Sequence, residues 1–243
     1  MFDASNLIKA SWGVGMDFWR PPPARAGEAT TRRPTPYVVP IRSLGANHRD
    51  RIAQHLFALE DRDRYLRFGY MAQDAQIQRY VDGLDFERDD IFGIYNRKLE
   101  LIAMAHLAYA KDHGYESCAE FGVSVSPSAR GKGYGARLFD RAAMHAANDG
   151  VDLLFIHALS ENVAMLKIAT NAGATVERDG TESEAYLHLP KPTLDSRVTE
   201  MVEEHVAQTD YRIKVQAKQF WSFLGDLQQV RRDAIDAQGR TPR

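Results

Sequence analysis

A glycine-rich turn, Arg130-Gly131-Lys132-Gly133-Tyr134-Gly135, follows a predicted strand that ends at Val125 and precedes an amphipathic helix. Such a turn exposes several backbone N–H groups at a helix N-terminus and lets the backbone approach an anion closely. Arg130 and Lys132 add positive charge at the same place. The turn is therefore predicted to bind a phosphate or pyrophosphate group; an ordinary turn with two solvated cations is the alternative.

Two other phosphate-binding motifs fit the turn less well. The spacing Gly131-x-Gly133-x-x-Ala136 satisfies a loose dinucleotide pattern, which also requires an acidic residue at the end of the following strand. Here the acid is Asp152, at the start of the predicted strand Val151–Leu159. A P-loop is excluded because no Gly-Lys-Ser/Thr follows at the required spacing. What remains is Arg130-x-x-Gly133-x-Gly135 late in a mixed sheet.

The elements around the turn predict the fold class α/β, with a mixed, mostly antiparallel sheet flanked by helices and a C-terminal helical extension. Predicted strands are Tyr37–Arg42, Asp90–Asn96, Leu99–Ala110, Tyr115–Val125, Val151–Leu159, Thr175–Arg178 and Ala185–Leu189. Helices are predicted from about Ala46, over 72–83, from the turn to Asn148, and over 161–172. Antiparallel strands thus lead into one parallel crossover.

Three segments divide the chain. Half of the ten prolines lie between Pro21 and Pro36, so residues 1–36 are interpreted as an N-terminal segment and linker. Residues 37–190 form the predicted domain, and 191–243 the helical extension. In the extension, apolar residues recur at spacings of four and three, at Ile213, Ala217, Phe220, Leu224 and Leu227. This stripe is predicted to be buried, either on its own domain or in a homodimer.

Composition excludes several classes of protein. A formal net charge of −2 gives no basic field for nucleic acid, and no apolar run is long enough to cross a membrane. The single cysteine, Cys118, precludes a disulfide within the chain, so a cytoplasmic location is expected. The eight histidines show no metal-ligand spacing, and no metal is expected.

The spacing Arg130-x-x-Gly133-x-Gly135 resembles the acyl-CoA signature of the GNAT superfamily of N-acetyltransferases, Arg/Gln-x-x-Gly-x-Gly/Ala. The order of elements from Tyr37 to Leu189 agrees, and 162–173 is similar to the family's Asn-x-x-Met/Ala-x-x-Leu/Ala-x-x-x-x-Gly helix. Asp63–Phe68 and the triplet Ala119-Glu120-Phe121 are also similar to the acetyltransferase domains of bacterial protein-lysine acetyltransferases. The resemblance implies a GNAT-like sheet and an acetyl-CoA donor.

The resemblance also implies roles for individual residues. The backbone of Val123, Ser124 and Val125 would pair with pantetheine. The pyrophosphate would be bound by the amides of Arg130, Gly131, Lys132, Gly133, Tyr134, Gly135 and Ala136. Asn162 would hydrogen-bond the pantetheine arm, although it is equally suited to cap a helix.

Acyl transfer to an amine requires the neutral amine, so a base or a desolvating pocket must remove its proton. The proposed base is Glu120, which shares a strand face with Gly122 and Ser124, and a backbone N–H near Val123 would stabilise the oxyanion. Many family members supply a tyrosine acid at the position occupied here by Ala169, so no general acid is assigned. A CoA thiol, with a pKa of roughly 8–9 like that of cysteine, can leave unaided.

The sequence thus predicts an N-acetyltransferase that moves an acetyl group from acetyl-CoA to a primary amine by direct attack in a ternary complex. The acceptor, a small molecule or a protein lysine, is not identified. Arg64 and Arg67 could bind an anionic acceptor, but a solvated helix end is the preferred interpretation. Two other functions stay open: a catalytically weak acyl-CoA-binding module whose tail engages a partner, and a nucleotide-binding regulator.

Overall fold

A computed structural model of the chain describes residues 39–110 and 117–238, with the side chains of the last helix described as far as Gln219 and at Ser222. Its seven strands are β1 (Arg42–Ser43), β2 (Asp90–Tyr95), β3 (Leu101–Tyr109), β4 (Cys118–Val125), β5 (Leu153–Leu159), β6 (Thr175–Asp179) and β7 (Glu182–His188). The predicted starts of two strands at Tyr37 and Tyr115, and the segment 1–36, lie outside the described residues.

The strands form one sheet in the order β1-β2-β3-β4-β5-β7-β6. Every neighbouring pair is antiparallel except β4 and β5. These two parallel strands are paired only where 118–120 faces 153–155, and beyond Glu120 they part. A gap therefore opens in the middle of the sheet, between the carboxyl halves of β4 and β5.

Six helices cover the sheet: α1 (Arg49–Phe57), α2 (Asp61–Phe68), α3 (Asp74–Asp82), α4 (Tyr134–Asn148), α5 (Val163–Asn171) and α6 (Leu194–Gln238). The sheet has a separate hydrophobic core on each face. One core joins α4 and α5 to inward-facing strand residues such as Phe121, and the other joins α1 and α3 to residues such as Met104. The side-chain alternation along each strand supplies both cores.

Charged side chains near the C-terminal end of α4 attach α6 to the domain. Arg141, only 3% exposed, lies 3.0 Å from a carboxylate oxygen of Glu200 and 3.2 Å from one of Glu204. His145 hydrogen-bonds Glu200 and lies 2.9 Å from Asp90. Burial alone would lower the pKa of His145, but its bonds to the two carboxylates outweigh burial and raise it to about 9. His145 is therefore a cation at neutral pH.

The predicted fold class is confirmed, including the helical extension, with local differences. The last strand runs over Glu182–His188, three residues earlier at its start than predicted, and β5 begins at Leu153 instead of Val151. The first strand is predicted over Tyr37–Arg42, but pairing with β2 covers only Arg42–Ser43. Pro40 lacks the N–H that a ladder needs, which accounts for the late start. Helix α2 is not predicted, because its eight residues include five with charged side chains and give little apolar pattern. No helix of the described residues is long and apolar enough to cross a membrane.

Candidate active site

A cavity of about 170 Å³ occupies the gap between β4 and β5. Its walls come from four places: the end of α2, the middle of β4, the carboxyl half of β5 and the start of α5. Because β4 and β5 have no strand between them there, their facing edges are open to a ligand. Two side chains of opposite charge, Arg67 and Glu120, line the cavity.

Glu120 lies on β4 and is exposed, although its strand is central in the sheet. The exposure comes from the cavity, which replaces the packing that a central strand otherwise receives. Among the described residues, no side chain forms a hydrogen bond or an ion pair with the Glu120 carboxylate. The carboxylate is thus available to a group that enters the gap.

The residues of β4 that follow Glu120 are paired with a neighbouring strand along only one backbone edge among the described strands. Val123, Ser124 and Val125 pair with β3, while none of the described strands pairs with their other edge. The Ser124 side chain is buried and lies 2.9 Å from Nε2 of His55, whose pKa burial lowers to about 4. Neutral His55 donates from Nδ1 to the Leu101 carbonyl, so Ser124 donates its hydroxyl proton to Nε2. A ligand can therefore use the backbone of Ser124, but the hydroxyl already has a partner.

The glycine turn presents backbone amides at the start of α4. Gly131 and Gly133 have φ values of 73° and 74°, a region in which side chains other than glycine are strained. Gly133 is the N-cap of α4, and no side chain caps the helix there. Among the described residues, no carbonyl or side chain accepts a hydrogen bond from the amides of 131–136. Six consecutive N–H groups are thus open, more than the four that any helix leaves unpaired.

The cations of the turn are less available than the sequence suggests. Arg130 forms an ion pair with Asp63 of α2, and Nζ of Lys132 donates to the Ser128 carbonyl at 3.3 Å. The donors that the turn leaves open are therefore mainly its backbone amides. Gly135 has a different purpose: a Cβ there would lie 3.1 Å from Cδ1 of Ile168, so its lack of a side chain lets α4 approach α5.

Asn162 caps helix α5. Its Oδ1 accepts from the Met165 amide at 3.2 Å, and its Nδ2 donates to the Leu66 carbonyl at 3.4 Å. The side chain also lines the cavity. The geometry supports the capping interpretation directly, and a bond from Asn162 to pantetheine stays a prediction. Ala169 is fully buried and offers no proton to the cavity.

Two of the three arginines of α2, Arg64 and Arg67, differ from the solvated helix end that the sequence suggests. Arg64 donates to the carbonyls of Phe57, Leu59 and Ala72, so it ties the surrounding loops together. Arg67 instead extends over Gly122 of β4: a Cβ on that glycine would lie 2.7 Å from a guanidinium nitrogen. The charge of Arg67 is therefore placed inside the cavity.

A chain of hydrogen bonds, which the sequence did not indicate, fixes Arg67. Its Nη2 donates to the Tyr80 hydroxyl at 2.9 Å, and that hydroxyl lies 2.8 Å from Nδ1 of His106. Nε2 of His106 lies 3.1 Å from the buried Asp89 carboxylate. Burial lowers the pKa of His106 and raises that of Tyr80, so the Tyr80 hydroxyl keeps its proton and donates it to neutral His106. Four side chains thus hold one another in a single arrangement.

One group of side chains away from the cavity has metal-ligand chemistry. Ligand atoms of Asp90, His145 and Asp149 lie within 4.8 Å of one another. Both ring nitrogens of His145 contact carboxylates, Nδ1 that of Glu200 and Nε2 those of Asp90 and Asp149. The structure uses the group in the ion pairs described above.

Comparisons with known proteins agree with this architecture. The sequence profile described as "Acetyltransferase (GNAT) family" matches residues 53–173. The structure is similar to the GNAT domain of S. lividans PAT, with a TM-score of 0.53 and 20% identity over 63% of this chain and 94% of that one. It is also similar to the acetyltransferase of GNAT family from Streptococcus pneumoniae, with a TM-score of 0.50 and 10% identity over 62% and 98%.

A search of curated proteins finds no match. At these identities the two solved structures show the fold alone, and they do not identify an acceptor. The family match falls on the residues that form the cavity and the glycine turn, from α1 to the end of α5. The chain belongs to the GNAT family of acetyltransferases, whose members carry out acyl-CoA-dependent acyl transfer.

Proposed function

We propose that the protein is an N-acetyltransferase that moves an acetyl group from acetyl-CoA to a primary amine, by direct attack in a ternary complex. The observation that supports it most is the position of Glu120. This carboxylate, which has no partner among the described residues, lies in the gap where β4 and β5 part, beside the edge of β4 that is not paired there. A module that only bound acyl-CoA would have no need of a carboxylate there.

The donor would follow the open groups from the turn into the cavity. Its pyrophosphate would rest on the amides of Arg130 to Ala136, where the partial positive charge of the α4 N-terminus favours an anion. Pantetheine would pair with the free edge of Val123–Val125, and Asn162 lies beside its path. The thioester would then arrive next to Glu120.

In the chemical step, Glu120 would take a proton from the acceptor amine, directly or through a water molecule. The neutral amine would attack the thioester carbonyl, and a backbone N–H near Val123 would stabilise the oxyanion. The thiolate would leave without a tyrosine acid, because Ala169 occupies the usual position of that residue. A thiol is acidic enough for this, with a pKa of roughly 8–9.

Replacement of Glu120 by Gln tests the proposal, since glutamine keeps the size of the side chain but removes its basicity. We expect kcat to fall about 10²- to 10⁴-fold at pH 7, with partial recovery at high pH where more of the amine is neutral. Acetyl-CoA affinity by calorimetry should not change. Glu161→Gln, at an exposed carboxylate paired with Arg62, is the matched control. A Glu120→Gln rate within threefold of wild type would contradict the assignment.

The long helix α6 supports a further part of the proposal, a homodimer. It has 45 residues and is about 68 Å long. At 3.6 residues per turn, Glu200, Ala207 and Tyr211 lie on the side that faces the domain, and the opposite side carries apolar residues among polar ones. That side carries Leu194, Val198, Met201, Val202, Val206 and Ile213, all exposed. The domain thus leaves uncovered Ile213, the first residue of the predicted stripe.

A second copy of the chain would cover this face, since two such helices present apolar stripes of equal length to each other. Light scattering of the full chain should give a dimer, and Val202→Glu with Ile213→Glu should give a monomer. The double substitution leaves the carboxylates around Arg141 in place, whereas a chain ending at Lys191 would remove them. A wild-type monomer would contradict the dimer. The single cysteine is consistent with a cytoplasmic location, which we also propose.

A further inference from the structure

Arg67 is a cation that the protein positions but does not neutralise. Among the described residues, no carboxylate forms an ion pair with its guanidinium, and Tyr80 is the side chain to which it donates a hydrogen bond. The neighbouring arginine Arg64 has Asp74 at 2.7 Å and three carbonyl acceptors. Arg67 thus keeps several donors that face the cavity, because a guanidinium has five N–H groups.

The surroundings of Arg67 prepare it for a ligand. Tyr80, His106 and Asp89 fix its position, and the rings of Phe68 and Tyr80 lie 5.3 and 5.5 Å from its central carbon. Gly122 gives it room, because any larger residue on β4 would displace the guanidinium. An arginine fixed in this way loses little conformational entropy when it binds a carboxylate, which it recognises with two parallel bonds.

Arg67 and Glu120 lie on the same side of β4. Gly122, beneath the guanidinium, is two residues from Glu120, and residues so spaced share a face about 6.5 Å apart along a strand. One cavity therefore presents an open carboxylate and an open guanidinium at a separation that a single small molecule can span. A molecule with an amine for the first and an anionic group for the second would satisfy both charges.

We propose that the acceptor is a small amine that carries its own carboxylate, such as a free amino acid, and that Arg67 binds that carboxylate while Glu120 faces the amine. This inference rests on the proposed function, since it names the acceptor for that reaction. Arg67 determines specificity, and Tyr80 is a positioning residue that acts through it. Polyamines and lysine side chains without a nearby carboxylate satisfy only one of the two charges.

The test is a set of matched acceptors, read by release of the CoA thiol. The twenty amino acids are compared with their carboxamides, with the amines that lack the carboxyl group, and with spermidine and a lysine peptide without acidic residues. We expect the best amino acid to be used at least about tenfold better than its carboxamide, in kcat/KM. Equal or better use of the uncharged partners, of spermidine or of the peptide would overturn the inference and leave the N-acetyltransferase function intact. Inertness of every amine would overturn both.

Variants assign the effect to Arg67. Arg67→Gln should raise the KM of the amino acid about 10- to 100-fold and reduce kcat/KM for the carboxamide much less. Arg67→Lys should restore part of the affinity. Tyr80→Phe should raise the same KM severalfold, whereas Arg62→Gln, at an exposed arginine of the same helix, should have no effect. Equal losses for the amino acid and its carboxamide in Arg67→Gln would show that Arg67 supports the structure only, and would overturn the assignment.

Discussion

The polar groups at the two ends of helix α4 differ in whether they have partners within the protein. At the C-terminal end, Arg141 and His145 have carboxylate partners, and Asn148 donates to Glu200. At the N-terminal end, the amides of 131–136 have no acceptor among the described residues. The first end lies against α6, whereas the second follows β4, a strand that lines the cavity.

This contrast distinguishes the polar groups that stabilise the fold from those that are available to a ligand. A buried polar group without a partner costs free energy, so interior groups are almost always paired. At the C-terminal end α6 supplies the partners. The residues of the N-terminal end are exposed or half-buried, as are Glu120 and Arg67 in the cavity, so water can satisfy their polar groups until a ligand replaces it. Substitutions at the paired end should therefore change stability, and those at the open end should change binding.

The largest effect on stability is expected at Arg141. Arg141→Met would leave Glu200 and Glu204 without their main cation, and loss of one partner of a buried ion pair typically costs about 3–5 kcal/mol. The free energy of unfolding, measured with urea, should fall by that amount. Arg137→Met, at an exposed position one turn earlier on α4, is the control and should change stability by less than about 0.5 kcal/mol. Equal stability of the two variants would contradict the structural role of Arg141.

A slightly smaller decrease in the free energy of unfolding is expected when the pH is raised. The pKa of His145 is raised from 6.5 to about 9 in the folded state. The stabilisation is therefore fully present below pH 6.5, and is lost as the pH rises through about 9. The difference in pKa corresponds to a contribution on the order of 3 kcal/mol to the free energy of unfolding.

Urea unfolding at several pH values between 6 and 9.5 measures this contribution. Other groups also titrate in that range, so His145→Gln serves as the reference. The decrease in the free energy of unfolding that wild type shows beyond the decrease in the variant is the contribution of His145. Parallel curves for the two proteins would contradict the assignment.

At the open end, Gly133→Asp should affect binding instead. The new carboxylate would lie among the amides of the turn and repel the pyrophosphate, so acetyl-CoA affinity by calorimetry should fall at least about 100-fold. Gly150→Asp is a matched control, because Gly150 also has a positive φ and open space around its Cα, but lies after the other end of α4. If the two variants bind the donor equally well, the site is elsewhere.

The smallest effect on stability is expected for Arg67→Gln. Because the protein supplies no carboxylate to Arg67 among the described residues, its replacement should change the free energy of unfolding by no more than about 2 kcal/mol. The variant loses the bond to Tyr80 and the contacts with the rings of Phe68 and Tyr80. A loss as large as that of Arg141→Met would place Arg67 with the structural charges, and would remove the contrast between the two regions.

Local signals in the sequence predict much of the fold. The alternation in β2, β3 and β4, and the glycines around α4, depend on neighbouring residues, and those elements lie where the sequence places them. Helix α2 has no comparable apolar pattern, because five of its eight residues are charged, so the sequence did not predict it. The first strand is shorter than predicted because Pro40 cannot take part in the ladder.

The charges of the site and of the α6 contact depend on residues far apart in the chain. The sequence indicated Glu120 through its similarity to a family motif, whereas no local pattern relates Arg67 to Gly122 or Tyr80 to His106. The contact of Arg141 with Glu200 and Glu204 likewise joins residues about 60 positions apart. Such pairs are determined by how the elements pack, and packing is not encoded at any one position.

Helix α2 touches both halves of the proposed reaction. Asp63 holds Arg130 of the glycine turn, and Arg67, one turn later on the same side of the helix, lies over Gly122 in the cavity. A phosphate that drew Arg130 away would release Asp63 and change the restraint on Arg67. The affinities of donor and acceptor would then depend on each other, and by linkage each would change the other by the same factor. Identical acetyl-CoA dissociation constants with and without a saturating unreactive acceptor analogue would show that α2 transmits nothing. Any other ratio would give the coupling between the two substrates directly.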